Sequence, residues 1–117
     1  MEIYREFKFD AAHSLNNLAE GHKCRNLHGH TFAVIVYVSG PVGEKTGWVM
    51  DYGEIKSICG PVIDQLDHSY LNDIPGLEIP TSETIAVWIW NRIKPEIPSL
   101  SMVEVKETAA TGCRYTG

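Results

Sequence analysis

At 117 residues the chain is long enough to bury one hydrophobic core and short for two, so a single domain over residues 1–117 is expected. A hydrophobic content of 44% with 21% charged residues excludes a long disordered tail, and no stretch is low in complexity. A net charge of -5 lacks the surplus of Lys and Arg that a general nucleic-acid or anionic-membrane binder needs, so neither partner is expected.

The first residues, MEIYREFKFD, are charged from the second position and contain no apolar leader core. No later apolar run approaches the roughly 20 residues that span a bilayer. A cytoplasmic location is the expectation. The three cysteines, Cys24, Cys59 and Cys113, are an odd number at irregular spacing, which argues against a disulfide framework and leaves room for one functional thiol.

Residues 2–13 alternate as a strand does, with Ile3, Phe7, Phe9, Ala11 and His13 on one parity and Glu2, Glu6, Lys8 and Asp10 on the other. Arg5 interrupts the apolar row. The parity places His13 on the face of Phe7 and Phe9, the buried one. The polar segment SLNNLAEGHKCRNL reads as a loop. HGHTFAVIVYVSG is rich in β-branched and aromatic residues up to the Gly40-Pro41 breaker and predicts a strand from about residue 30 to 39. His28 and His30 project to one side because extended side chains repeat every second residue. Gly29 between them permits a close backbone approach to whatever they hold.

After the turn PVGEKTG, the apolar residues Ile55, Ile58, Cys59, Val62, Ile63 and Leu66 recur at helical spacing, behind Asp51 and Glu54 in a capping-box pattern. Pro61 is expected to kink or split this helix. Cys59 falls on the apolar stripe and reads as a core residue. DHSYLNDIPGLEIP reads as a loop. A second helix follows in TSETIAVWIWNRIKP, capped by Thr81 or Ser82, with Ile85, Trp88, Ile89 and Ile93 as its inner stripe. SMVEVKET alternates again and puts Glu107 on the parity of Val103 and Val105; TGCRYTG reads as a short edge strand or turn. Two strands, two helices and one or two final strands favour the α+β class, an antiparallel sheet with helices on one face.

Three neutral imidazoles suit a catalytic zinc that keeps one position open, and His13, His28 and His30 share the inward parity that such a site requires. The same histidines are compatible with capping backbone groups in an HGH turn. Cys24 stands four residues before His28 between Lys23 and Arg25, cations that favour the thiolate. It suits a base, a nucleophile, a fourth ligand closing a structural zinc site, or an ordinary loop cysteine. Asp67 and His68 are adjacent, and an acid orients an imidazole only where the side chains meet; a polar helix exit is the alternative. Glu107 ends an apolar row, so its carboxylate needs a cation, a backbone amide or a ligand.

The segments FDAAH, EGHKCRNLHGH, GWVMDYGEIK, LDHSYLND, PTSETIAVWIW and VKETAATGC together resemble the 6-pyruvoyltetrahydropterin synthase family, over nearly the whole chain. Within it the sequence is most similar to the bacterial group that forms 6-carboxy-5,6,7,8-tetrahydropterin for queuosine synthesis. The resemblance implies a tunnelling fold, in which small antiparallel sheets, each backed by two helices, close a β-barrel across three subunits and two trimers stack into a homohexamer. It implies Zn2+ on His13, His28 and His30, Cys24 as proton-abstracting base, Asp67 and His68 as a proton relay, and Glu107 as anchor of the pterin ring. Thr81, Ser82 and Glu83 are expected to line the pterin pocket, and Lys23, Arg25, Lys106 and Arg114 are candidates for the triphosphate. The implied reaction takes 7,8-dihydroneopterin triphosphate to 6-carboxytetrahydropterin, acetaldehyde and triphosphate; formation of 6-pyruvoyltetrahydropterin is the runner-up. A non-catalytic zinc module closed by Cys24, and a zinc hydrolase, are the readings from other classes.

Overall fold

The computed structural model describes residues 1–117. Its elements run β1 (Glu2–His13), β2 (His28–Ser39), α1 (Tyr52–Leu66), β3 (Ser69–Tyr70), α2 (Ser82–Ile93), β4 (Leu100–Lys106) and β5 (Gly112–Tyr115). The five strands form one sheet in the order β3-β1-β2-β4-β5. The architecture is α+β, as expected. The sheet is antiparallel except at one edge, where Ser69 and Tyr70 pair parallel with Ala11 and Ala12. That two-residue edge pairing adds to the expected antiparallel sheet, and it lies in a segment whose sequence reads as loop.

The core follows from the alternation. Phe9 and Ala11 of β1, Phe32, Val34, Val36 and Val38 of β2, and Val103 and Val105 of β4 turn one apolar face toward the two helices. Phe9 and Phe32 are direct cross-strand partners and stack with ring centres 4.8 Å apart. Ile55, Cys59, Val62, Ile63 and Leu66 of α1 and Ile85, Ala86, Trp88, Ile89 and Ile93 of α2 close that face from the other side. Burial without a partner pushes the Cys59 thiol up to about 12. Arg5 interrupts the apolar parity without entering the core. It sits at the far end of β1, and its guanidinium donates to the Tyr52 carbonyl at the start of α1.

Three local expectations change. β2 begins at His28 rather than near residue 30, because His13 and His28 are themselves register partners. Pro61 neither breaks nor divides α1. It is exposed, and so is Ser57 one turn earlier, so the carbonyl that loses its donor faces water. Asp51 caps α1 by accepting from the Gly53 amide at 2.9 Å, which leaves the pattern with Glu54 at half of a capping box. Thr81 caps α2 through the Thr84 amide, as its place in the sequence suggests.

Candidate metal centre and active site

The register that joins β1 to β2 builds the centre. His13 faces His28, Ala11 faces His30, and the three imidazoles emerge at one end of the apolar face with ring centres 4.5 to 5.0 Å apart. Glu107, one residue beyond β4, continues the inward row of Val103 and Val105 and joins them. Ligand atoms of His13, His28, His30 and Glu107 all lie within 4.8 Å of one another.

Two of the rings are held by backbone carbonyls. His13 Nδ1 lies 2.8 Å from the Pro80 carbonyl, and His28 Nδ1 lies 2.6 Å from that of Asn26. A carbonyl only accepts, so in each ring Nδ1 carries a proton, which in the neutral imidazole leaves the lone pair on Nε2. His13 is fully buried. Its Nε2, like that of His30, has no hydrogen-bond partner. Glu107 Oε1 approaches His30 Nε2 to 2.9 Å and His13 Nε2 to 3.9 Å, but without the alignment of a hydrogen bond. Burial pushes the His30 imidazole below the usual histidine range; Glu107 opposes that shift, while His13 and His28 reinforce it. Orphaned buried nitrogens on neutral rings cost stability unless a cation takes their lone pairs. This donor set fits zinc or another divalent metal that accepts imidazole.

Cys24 is not a member of this cluster. It lies in a single 3-10 turn, Lys23–Arg25, within the loop between β1 and β2, and is half-buried. Its backbone is anchored on both sides. The Cys24 amide donates to His22 Nδ1 at 3.1 Å, and its carbonyl accepts from the Leu15 amide, two residues past His13, at 2.9 Å. The fourth donor beside the three histidines is Glu107 rather than Cys24.

Asp67 and His68 do meet: His68 Nδ1 lies 3.0 Å from Asp67 Oδ2. The pair is fixed to the edge of β1, where Asp67 Oδ1 accepts from the Asp10 amide at 2.9 Å and the His68 amide donates to the Asp10 carbonyl at 2.6 Å. The Asp10 amide, and then His68, hold the Asp67 carboxyl below its usual range. His68 takes a left-handed backbone, φ 56°, to make both contacts. Within one chain this pair and the histidine centre are separate clusters. Both nevertheless border an open cleft of about 530 Å³ whose walls include Asp10, Gly29, His30, Thr31 and His68.

The remaining candidates are distributed around this frame. Thr81, Ser82 and Glu83 form the start of α2, just after the Pro80 carbonyl that holds His13, and Ser82 Oγ donates to Glu83 at 2.6 Å. Lys23 is exposed. The Arg25 guanidinium donates to the Asn16 and Leu18 carbonyls and so ties down its own loop. Arg114 pairs with Glu104 at 2.9 Å, and Lys106 lies on the sheet face opposite the histidines. Gly29 approaches the β1 backbone and also borders the cleft. A Cβ there would stand 3.2 Å from the Ala11 carbonyl, so its smallness serves the β1-β2 contact.

Residues 2–117 match the 6-pyruvoyl tetrahydropterin synthase family. The chain belongs to that family. Among its relatives is the 6-carboxy-5,6,7,8-tetrahydropterin synthase of Synechocystis, 48% identical over 97% of this chain and 91% of that protein. The dihydroneopterin monophosphate aldolase of Pyrococcus furiosus is 42% identical over 82% of this chain and 76% of that one. The structure of the Caenorhabditis elegans 6-pyruvoyl tetrahydropterin synthase superposes with a TM-score of 0.92 at 28% identity, covering 100% of this chain and 95% of that one.

Proposed function

We propose that the chain is a carbon-carbon lyase that converts 7,8-dihydroneopterin triphosphate and water into 6-carboxy-5,6,7,8-tetrahydropterin, acetaldehyde and triphosphate, a step in queuosine (7-deazapurine) synthesis. The observation that carries this reading is the convergence of two buried, unpartnered Nε2 atoms with His28 and Glu107, in a chain 48% identical to a relative named for that product. His13, His28 and His30 would hold Zn2+, with Glu107 beside them. A divalent cation bound there would supply the positive charge that makes a neighbouring substrate C-H bond acidic.

The chain's own groups then divide the work. Cys24, on its anchored turn between Lys23 and Arg25, takes the proton as base. His68 has Nδ1 turned to Asp67, which leaves its Nε2 free to relay protons. Glu107 accepts the two parallel N-H groups of the pterin ring and sets the reacting carbon beside the histidines. Thr81, Ser82 and Glu83 line the ring pocket. Lys23 is the first choice for the triphosphate, because the Arg25 and Arg114 guanidinium groups already have partners and Lys106 lies on the opposite sheet face.

The assembly proposed is a homohexamer, a dimer of trimers with sheets closed into a β-barrel, in the cytoplasm. Apart from Ala11 and Ala12, the outer edge of β1 has no strand beside it, and β5 is the opposite edge; closure with further copies covers both. Such closure would bring the Asp67-His68 pair of one subunit to the centre of another. No helix is long and apolar enough to cross a membrane.

Product analysis by mass spectrometry tests the reaction. Stoichiometric acetaldehyde with a 6-carboxy pterin supports it. A pyruvoyl pterin without acetaldehyde assigns the chain to the runner-up activity, which the likeness to the C. elegans enzyme favours.

A further inference from the structure

Residues 67–72 run alongside the end of β1 that carries His13. Asp67 and His68 bond the Asp10 backbone, Ser69 and Tyr70 pair with Ala11 and Ala12, and Asn72 reaches Ser14. The last contact is the unusual one. The Asn72 side chain accepts from the Ser14 amide at 3.0 Å and donates to the Ser14 carbonyl at 2.7 Å. One side-chain amide thus satisfies both backbone groups of the residue after His13, as a neighbouring strand would. Tyr70 adds a hydroxyl contact to Ser14 Oγ at 2.7 Å, and Ser14 is only 4% exposed.

Asn72 also faces the other support of the His13 ring. Its Nδ2 lies 3.5 Å from the Glu78 carbonyl, two residues before the Pro80 carbonyl that accepts from His13 Nδ1. Asn72 therefore bridges the backbone that carries His13 and the loop that sets its tautomer. His30 needs no such device, because it lies inside β2 opposite Ala11, whereas His28 begins β2 and has the terminal His13 as its register partner. His13 is the last residue of its strand.

We propose that Asn72 is a positioning residue for the metal centre, fixing the main chain and ring of His13 so that Nε2 meets the cation the other two histidines hold. The inference rests on the metal role of His13. Partners that orient a metal-ligating histidine typically change metal affinity by about 10- to 100-fold when removed, and Asn72→Ala is expected in that range.

The test is Zn2+ affinity by chelator competition on the purified full chain, with the folded fraction followed by circular dichroism. Asn72→Ala should bind Zn2+ at least about tenfold more weakly while folded. Asp51→Ala, which removes the α1 cap far along the chain, should lower thermal stability and leave Zn2+ affinity within about twofold. Asn72→Asp supplies a version independent of cavity effects. It retains the acceptor for the Ser14 amide and loses the donor. Its added negative charge alone would tighten a cation, so weaker binding reports the lost clamp. A folded Asn72→Ala that binds Zn2+ within twofold of the parent overturns the proposal, as does an equal loss in Asp51→Ala. A parent protein whose Zn2+ binding survives His13→Ala undiminished rejects instead the metal role of His13.

Discussion

Removing Zn2+ is predicted to lower the melting temperature without unfolding the chain. The apolar core comprises 22 buried residues and contains none of the three histidines, which lie at one end of the sheet. Packing of α1 and α2 against β1, β2 and β4 therefore persists when the cation leaves. What is lost is the binding free energy, about 4 kcal/mol at free metal about a thousandfold above Kd. With an unfolding entropy of roughly 2.1 cal/mol/K per residue, 117 residues give about 0.25 kcal/mol/K, so the shift is about 16 °C. Melts by circular dichroism at one fixed protein concentration, with Zn2+ and with EDTA, measure it. Retained far- and near-UV signals at 25 °C together with a lower midpoint are expected. Loss of both signals on chelation would instead make the metal a structural staple without which the core does not pack. An unchanged midpoint would mean that the histidines hold no metal.

Cys24→Ala is expected to keep its fold and Zn2+ and to lose turnover by about 100-fold or more, the range for a positioned base; stopped-time product assays on Zn2+-loaded protein read it. Thiol titration should find Cys59 unreactive in the folded protein, since it is fully buried with its pKa raised to about 12, and all three cysteines reactive after denaturation. Asp67 has its pKa lowered by folding, so its contribution to stability is full above the unfolded value near about 4 and fades as pH falls through the lower folded value. Asp67→Asn should flatten that acid limb in denaturant melts between about pH 5 and 2; an unaltered limb would show that the Asp10 amide bond does not form in solution.

The centre was legible in the sequence where it obeys the period of a strand. His13, His28 and His30 share an inward parity, and Glu107 continues the row of Val103 and Val105, so four donors converge once β1, β2 and β4 pair. Their supports left no trace. The Pro80 and Asn26 carbonyls that orient two rings are backbone groups, which any residue type supplies. Asn72 looks like ordinary loop composition until β3 docks along β1, and a two-residue parallel pairing has no periodicity to read. Arg25 reads as a cation for the thiolate or the triphosphate, and the structure also gives it carbonyls of its own loop. Pro61 reads as a breaker, yet its exposure lets α1 continue. His22, whose ring holds the Cys24 turn, was hidden by its place in a polar loop; its spacing of two residues before Cys24 was the available signal.

In the proposed site three imidazoles hold the metal and the Cys24 thiol stays off it. X-ray absorption at the zinc edge of the loaded protein distinguishes the two arrangements. Nitrogen and oxygen neighbours at about 2.0 to 2.2 Å are expected. A sulfur shell at about 2.3 Å would place Cys24 on the metal and contradict its role as base.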